Sequence, residues 1–470
     1  MSIKLALPTG DARSAVAGLL RECGLPTDGY DPPSRVLRAE LAEVGLVYRI
    51  FREQDIPIQV ALGNYDLGVC SLAWVLEHSI RFPRQQIVLL GSLAGGAAEL
   101  WLAASPESGL AAGEVPAGEA GFGARIASEY GNLADWLALR LRWPRYELLP
   151  LYGSADAYPP EDAELVLLAA SGEADVHGRG LLPLARVLDS RLVLVANRRA
   201  LATRSLAPVL AKLSGRLQPV FPVLNVPRRW RTAPFSRAER RREVVRLALP
   251  DGHAQRHTHA ALLEAGLQLE GYGEKEFVRR PRAPEAALEV KVIRPQDMPM
   301  LVARGHFDVA VTGVDWLKEH LARFPSSPVR MAVDLQRSRY RIGPVVAEEF
   351  PADSLDAALR IWRRWDRPVR IASEYPALAE EFARDFRLHF ATIIPINGAS
   401  EGFVPEDADI LIEGSETGTS IRANGLKMLD PFLESTNCVI VRDPPVTERV
   451  DVLERLLARF ASAGRVAAGV

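Results

Sequence analysis

Residues Phe307–Phe324 read FDVAVTGVDWLKEHLARF. The first seven form a short apolar run closing on glycine, as a buried strand does. The next eleven space Val314, Leu317, Leu321 and Phe324 three and four apart, one face of a helix. A strand handing over directly to a helix is the unit of an α/β fold. The stretch also has an echo. EH at Glu319 returns at Glu77 and RFP at Arg323 returns at Arg81, both 242 residues earlier. LALP stands at Leu5–Pro8 and Leu247–Pro250, again 242 apart, while IASEY (Ile126, Ile371) and PEDA (Pro160, Pro405) are 245 apart. Two nearly constant shifts mean one ancestral unit copied head to tail, with one small insertion.

The copies are assigned to residues 1–217 and 244–470, with a connector at 218–243. Its core, QPVFPVLNVPRRWRTAPFSRAERRR (Gln218–Arg242), has the prolines and charges of an exposed tether. Arg228, Arg229, Arg231 and Arg240–Arg242 are read as solvated rather than as a phosphate site. In the second copy, apolar runs (VVRLALP, LEVKVI, FDVAVTG, PVRIAS, ATIIPI, ADILIEG) alternate with helical patterns (HTHAALLEAGL, PQDMPMLVARG, VDWLKEHLARF, ALAEEFARDF, TERVDVLERLLARFA). This predicts mostly parallel sheets with covered faces and a ligand at the carboxyl ends of the strands.

The bulk numbers exclude several classes. A formal net charge of −2 over 470 residues sets up no field for nucleic acid or acidic lipid. Three scattered cysteines, Cys23, Cys70 and Cys438, make neither a disulfide framework nor a zinc site. No apolar run has the length of a signal peptide core or a membrane span. A cytoplasmic protein is expected.

The chemistry concentrates after ADILIE. There GSETGTSIRANGL (Gly414–Leu426) sets Thr417, Gly418, Thr419 and Ser420 where a strand should meet a helix. Such a turn offers main-chain N–H groups, hydroxyl donors and a glycine for close approach, which together cradle phosphate. Glu413, at the strand end, suits sugar hydroxyls or a phosphate-bound magnesium. A plain helix N-cap would use the same residue types.

In its setting, IEGSETGTSIRANGL resembles the phosphoribosyl diphosphate (PRPP) loop of ATP phosphoribosyltransferase. Glu413 stands where that family usually has Asp. Thr417, Gly418, Ser420, Asn424, Gly425 and Leu426 fit. RPQDMP (Arg294–Pro299), GHFDVAVTGVDWLKE (Gly305–Glu319), YRI with Arg341, IASEYP, and NGASE (Asn397–Glu401) resemble further family segments, in order. The family usually has Leu-Pro-Lys-Gly-Arg after its first strand; here Leu249, Pro250, Asp251, Gly252 and His253 stand there. His253, His257 and His259 are read as a surface helix start rather than a metal cluster.

The first copy resembles the same family but departs at the site. It keeps REQDIP (Arg52–Pro57) and GNYDLGV (Gly63–Val69), which folding alone would retain. Ala73 stands opposite Asp315 and Glu99 opposite Arg341. Ser171, Gly172, Glu173, Ala174 and Asp175 stand opposite Glu416–Ser420, and two carboxylates there would repel a phosphate.

The resemblance implies two tandem units like type II periplasmic binding proteins, each of two α/β lobes with mostly parallel sheets around a cleft. It implies transfer of phosphoribosyl from PRPP to N1 of ATP with release of pyrophosphate, the first step of histidine biosynthesis, in the second copy. By carry-over, Glu413, Arg294 and Arg341 are catalytic. Glu401, Glu416, Thr417, Gly418, Thr419 and Ser420 bind PRPP, and Gly313, Asp315 and His253 meet the nucleotide. Magnesium would arrive with PRPP, and no protein-held metal is expected. Each copy has the short form's length; short forms pair as dimers and depend on a subunit resembling histidyl-tRNA synthetase. A homo-oligomer or such a subunit is thus the expected partner, and the tandem would be the dimer in one chain. The alternative is a non-catalytic PRPP- or nucleotide-binding regulatory partner of another transferase subunit.

Overall fold

The computed structural model describes residues 2–466 except 33, 35, 42–44, 94–97, 117–122, 144, 226–230 and 234–241. Arg228, Arg229, Arg240 and Arg241 of the connector lie outside the described residues. Part of the connector, Arg231–Ala233, forms a short strand parallel to Glu114–Pro116 of the first copy.

Each copy folds as two lobes, each lobe around one main sheet. In the second copy the first sheet runs Leu288–Ile293, Val245–Pro250, Val309–Gly313, Asn437–Arg442, Val329–Asp334, Arg465–Val466. Its first three strands are parallel; the rest join antiparallel. The second sheet runs Ala391–Pro395, Val369–Ser373, Ile410–Ser415, Tyr340–Ala347, Leu426–Met428. It too has a parallel core of three strands and antiparallel additions. The antiparallel strands mark where the chain leaves the first lobe before Tyr340 and returns at Asn437. The closing helix Val450–Ser462 buries Val452, Leu453, Leu456 and Phe460 against the first lobe.

Strand register tests the proposed equivalence of the copies. Arg341 pairs with Ser415 in the second copy, and Glu99 with Ala170 in the first. The partners are again 242 and 245 residues apart, so the copies are aligned residue by residue through the sheet.

The copies pack head to tail. One core joins Phe51, Ile56 and Tyr65 of the first copy's first lobe to Phe403, Leu411 and Ile421 of the second copy's second lobe. Another joins Tyr158 and Val166 to Ile293, Met298 and Phe307. Polar contacts follow the same pseudo-twofold. Tyr65 donates to Asp407 at 2.6 Å, and Arg49 pairs with Glu406. In the other half Asp162, fully buried, accepts from Arg246 (3.0 Å) and Lys291 (2.7 Å). Burial opposes its charge, but Lys291 and Arg246 hold its pKa well below the usual carboxylate range. Between the copies lies a cavity of about 860 Å³ whose walls repeat the same symmetry, lined by Trp74 and its counterpart Trp316 and by Arg81 and its counterpart Arg323.

Removing one side of a buried ion cluster leaves the other charges uncompensated, which costs about 3–5 kcal/mol. Asp162→Ala is therefore expected to lower the unfolding free energy by roughly that amount. Urea denaturation of the full chain checks it.

Candidate active site

The strand Ile410–Ser415 ends at the mouth of the cleft and the helix Thr419–Ala423 begins four residues later. Gly418 makes the turn in left-handed backbone, φ +70°. A Cβ there would also stand 2.7 Å from the Arg422 guanidinium. Ser415 Oγ accepts the Gly418 N–H (2.8 Å), and Arg422 donates to the Thr417 carbonyl (2.9 Å). These bonds fix the turn from behind and leave Thr417, Thr419 and Ser420 exposed toward solvent. Glu416 reaches across the cleft to within 3.5 Å of His253, so the two lobes touch at the turn.

Deeper in the cleft the carboxylates gather. Glu413 accepts from its neighbour Gly414 N–H (2.9 Å) and from the Ser400 hydroxyl. Burial first, then the nearby Glu374 and Glu401, push its pKa up to about 8. Burial also raises Glu374, opposed by Arg52. Arg52 belongs to the first copy. A Cβ on Gly398 would lie 2.9 Å from Glu374 Oε1 and 3.0 Å from Arg52 Nε, which is why glycine stands in NGASE (φ +110°).

The mirror position explains Arg294. Its guanidinium lies over Gly153 of the first copy, 2.9 Å from where a Cβ would stand, and bonds Asp251 at 3.2 Å. Each copy therefore lends its arginine to the other copy's second lobe. The carboxylates three residues on hold the arrangement. Asp55 accepts from Asn397 N and Nδ2 (3.0 and 2.7 Å), and Asp297 from Tyr152 N (3.2 Å). Arg294 thus stands between Asp251 of its own copy and Gly153 of the other, while Arg52 lies beside Glu374 and Gly398 of the second copy.

Burial pushes Asp55 up to about 7 and Asp297 up to about 8. The unfolded carboxyls titrate near pH 4. Between roughly pH 4 and 8 the native state thus binds more protons than the unfolded state, and stability falls as pH rises. The midpoint of thermal unfolding is expected to drop between pH 6 and pH 8.5, with a smaller drop in Asp297→Asn.

The other expected residues separate. Glu401 stands beside Glu374 and Glu413. Arg341 is exposed, paired in register with Ser415 and on the Glu413 face of the sheet. Asp315 does not face the cleft. It is fully buried, accepting from Ser435 Oγ and Tyr375 Oη at 2.7 Å each. Gly313 serves the same carboxylate, since a Cβ there would overlap Asp315 Oδ1 at 2.0 Å. The expectation that Gly313 and Asp315 meet the nucleotide is corrected: the carboxylate is buried where the lobes join, under the hydroxyls of Tyr375 and Ser435. Asp251, where the resemblance expects Lys, is buried between Arg279 (3.3 Å) and Arg294.

In the first copy the equivalent turn is filled by its own side chain. Asp175 accepts from Ser171 N (2.9 Å) and from both Arg179 Nε and Nη2 (2.9 Å). Arg179 above all, with the Ser171 N–H, holds its pKa down to about 2. The first copy thus occupies its cradle with a carboxylate rather than merely repelling phosphate. Leu168 stands in the place of Glu413, and Glu99 pairs with Arg186 at 2.7 Å.

Residue spacing did not single out Arg52, Glu374 or Ser400. REQDIP offered the signal for Arg52, but only the head-to-tail pairing reveals which cleft it serves. Among the described residues no three His, Cys, Asp or Glu side chains are gathered as a metal site, and no helix is long and apolar enough to cross a membrane.

Comparison with known proteins is consistent across both halves. The family model described as ATP phosphoribosyltransferase (HisG) matches residues 52–218 and 294–462. An ATP phosphoribosyltransferase of Chlorobium chlorochromatii is 29% identical over 225 residues, covering 46% of this chain and 71% of that protein. One from Leptothrix cholodnii is 27% identical over 222 residues, 47% of this chain and 98% of that protein. Among solved structures, the ATP phosphoribosyl transferase (HisG:HisZ) complex from Thermotoga maritima aligns at TM-score 0.36 and 20% identity, covering 46% of this chain and 98% of that chain. The alkanesulfonate-binding protein SsuA from Xanthomonas axonopodis pv. citri aligns at TM-score 0.31 and 13% identity, over 46% and 72%.

Proposed function

The chain belongs to the ATP phosphoribosyltransferase family, with both copies matching, and we propose that its reaction runs in the cleft of the second copy. The reaction joins N1 of ATP to C1 of the PRPP ribose. The C1–O bond to pyrophosphate breaks, and the leaving group departs with the bonding electrons. The observation that carries the assignment is the contrast between the turns: Thr417–Ser420 stands open, whereas its counterpart is filled by Asp175.

Positioning and charge stabilisation dominate such a transfer, because the ring nitrogen needs no proton removed before it attacks. The turn at Ser415–Ser420 would hold the 5′-phosphate through main-chain N–H groups and the three hydroxyls. Glu401 and Glu413 would accept from the ribose hydroxyls. Arg52, exposed in the cleft beside Glu374, would meet the charge growing on pyrophosphate, with Arg341 and His253 at the rim. Magnesium is treated as part of the substrate, carried on PRPP. The acidic wall of Glu374, Glu401 and Glu413 suits a cation delivered that way. A homo-oligomer or a histidyl-tRNA-synthetase-like subunit, and a cytoplasmic setting, belong to the same proposal.

Glu413→Gln isolates the role of this raised carboxyl. The neutral amide relieves the crowding of three carboxyls, so thermal stability at pH 8 is expected to rise. Turnover is expected to fall at least tenfold, because the acceptor for ribose is weakened. Calorimetry and steady-state rates check the two arms.

Purified full-length protein with magnesium, ATP and PRPP, alone and with a candidate partner subunit, is expected to form phosphoribosyl-ATP. The second reading, a PRPP-binding regulatory partner, is favoured by one observation: Asp251 stands buried where the family's Lys is expected. PRPP binding without product under every condition would select it.

A further inference from the structure

The buried carboxylate of Asp315 sits at the joint between the lobes. Its helix, Val314–Arg323, follows a first-lobe strand. The hydroxyls that donate to it come from across the joint. Tyr375 caps the second-lobe helix Pro376–Asp385, and Ser435 lies on the short strand paired with Tyr340–Ala347. Tyr340, on the second-lobe sheet, pairs in register with Ser435 and stands beside the same carboxylate. Burial, then Asp315, push the Tyr340 and Tyr375 hydroxyls well up, so they remain donors at any working pH.

Tyr340 has a second contact. Its ring lies against Gly414, where an added Cβ would meet Cε2 at 2.7 Å and Cδ2 at 2.8 Å. Gly414 separates Glu413 from the turn that begins at Ser415. One line of contact thus runs from a first-lobe helix, through a carboxylate and a phenol ring, to the strand end carrying Glu413 and the turn.

The first copy shows what this line is for. There the frame of the joint is kept: Tyr130 stacks on Trp74 as Tyr375 does on Trp316, with ring centres 4.3 and 4.5 Å apart. Ser190 Oγ accepts from Ala73 N at 2.9 Å, as Ser435 Oγ does from Asp315 N at 3.1 Å. The three members of the line are replaced together. Ala73, Ala98 and Ala169 stand for Asp315, Tyr340 and Gly414, and register confirms it, since Ala98 pairs with Ser190 as Tyr340 pairs with Ser435. A joint that needed these residues only to fold would need them in both copies. They are present in the copy whose turn stands open and absent from the copy whose turn is filled.

We propose that Asp315, Tyr340 and Gly414 form a positioning relay that sets Glu413 and the Ser415–Ser420 turn at a fixed place relative to the first lobe. Asp315 is a positioning residue here, acting through Tyr340 without touching substrate. The inference rests on the turn being the PRPP site, but its first test does not. Amide hydrogen exchange of the free full-length chain reads the order of the turn directly. Asp315→Asn and Tyr340→Phe each cut the relay while keeping shape. Each is expected to speed exchange at residues 414–418 at least tenfold and to leave residues 169–175 of the first copy unchanged. The double variant is expected to match the singles, because both cut one connection. Binding of magnesium-PRPP, by titration calorimetry, is expected to weaken about tenfold in each single variant. If Asp315→Asn misfolds, the triple variant D315A/Y340A/G414A reproduces a set the first copy already packs. Unchanged exchange at 414–418 in folded variants overturns the relay, as does acceleration of equal size in both copies, which marks a loss of global stability. Failure of the unaltered chain to bind PRPP overturns the phosphoribosyl reading instead, and the exchange result then decides the relay alone.

Discussion

Arg52→Ala is expected to lower kcat/KM for PRPP about a hundredfold, a loss of about 2.7 kcal/mol of transition-state stabilisation. The residue lies in the copy whose own cradle is filled, and far in sequence from the Thr417–Ser420 turn. Nothing in the first copy's chemistry would make it matter. Its guanidinium stands beside Glu374 and over Gly398, inside the second copy's cleft. Beside Glu374, Glu401 and Glu413, it is the cation that would meet pyrophosphate in the proposed reaction. Preorganised charge of this kind contributes roughly 3–4 kcal/mol where it has been removed from other enzymes. Arg294→Ala, the same substitution in the other copy, is expected to change the rate less than fivefold, since Arg294 lies over Gly153. Steady-state rates of the two variants under identical conditions check the pair. Equal losses would mean that both clefts react.

Gly418→Asp should abolish PRPP binding altogether. Two costs act at once. The backbone at φ +70° disfavours any side chain, and the new Cβ would sit 2.7 Å from Arg422. The larger effect is electrostatic: a carboxylate would enter the cradle, as Asp175 does in the first copy. A like charge in a partly desolvated site costs several kcal/mol, enough for a thousandfold weaker complex. Titration calorimetry with magnesium-PRPP reads the loss, and a cooperative melting transition, lowered by a few degrees at most, shows that the fold survives.

Much of the architecture was legible because its signals are local. FDVAVTG followed by VDWLKEHLARF gave strand and helix with bounds close to Val309–Gly313 and Val314–Arg323. Repeats at two fixed spacings gave the duplication. The strand Tyr340–Ala347 and the helix Leu355–Trp362 were not singled out, because their identity rests on packing between lobes rather than on a strong local pattern. The sheets' antiparallel strands were missed for the same reason: they depend on where the chain crosses. The turn at Thr417–Ser420 after a strand carrying Glu413 was readable from residue type and order. Arg52 was not, because two arginines of identical motif exchange places only when the copies pair head to tail. Asp315 misled for a related reason. A carboxylate near a glycine reads as a ligand contact until the hydroxyls of Tyr375 and Ser435 are seen around it.

A structure of the chain soaked with magnesium-PRPP shows which cleft takes the substrate. One molecule per chain is expected, with the 5′-phosphate on Thr417–Ser420, the ribose beside Glu401 and Glu413, and the pyrophosphate against Arg52, while the cleft at Asp175 stays without PRPP. PRPP in the first copy's cleft, or a pyrophosphate held by Arg294, would contradict it.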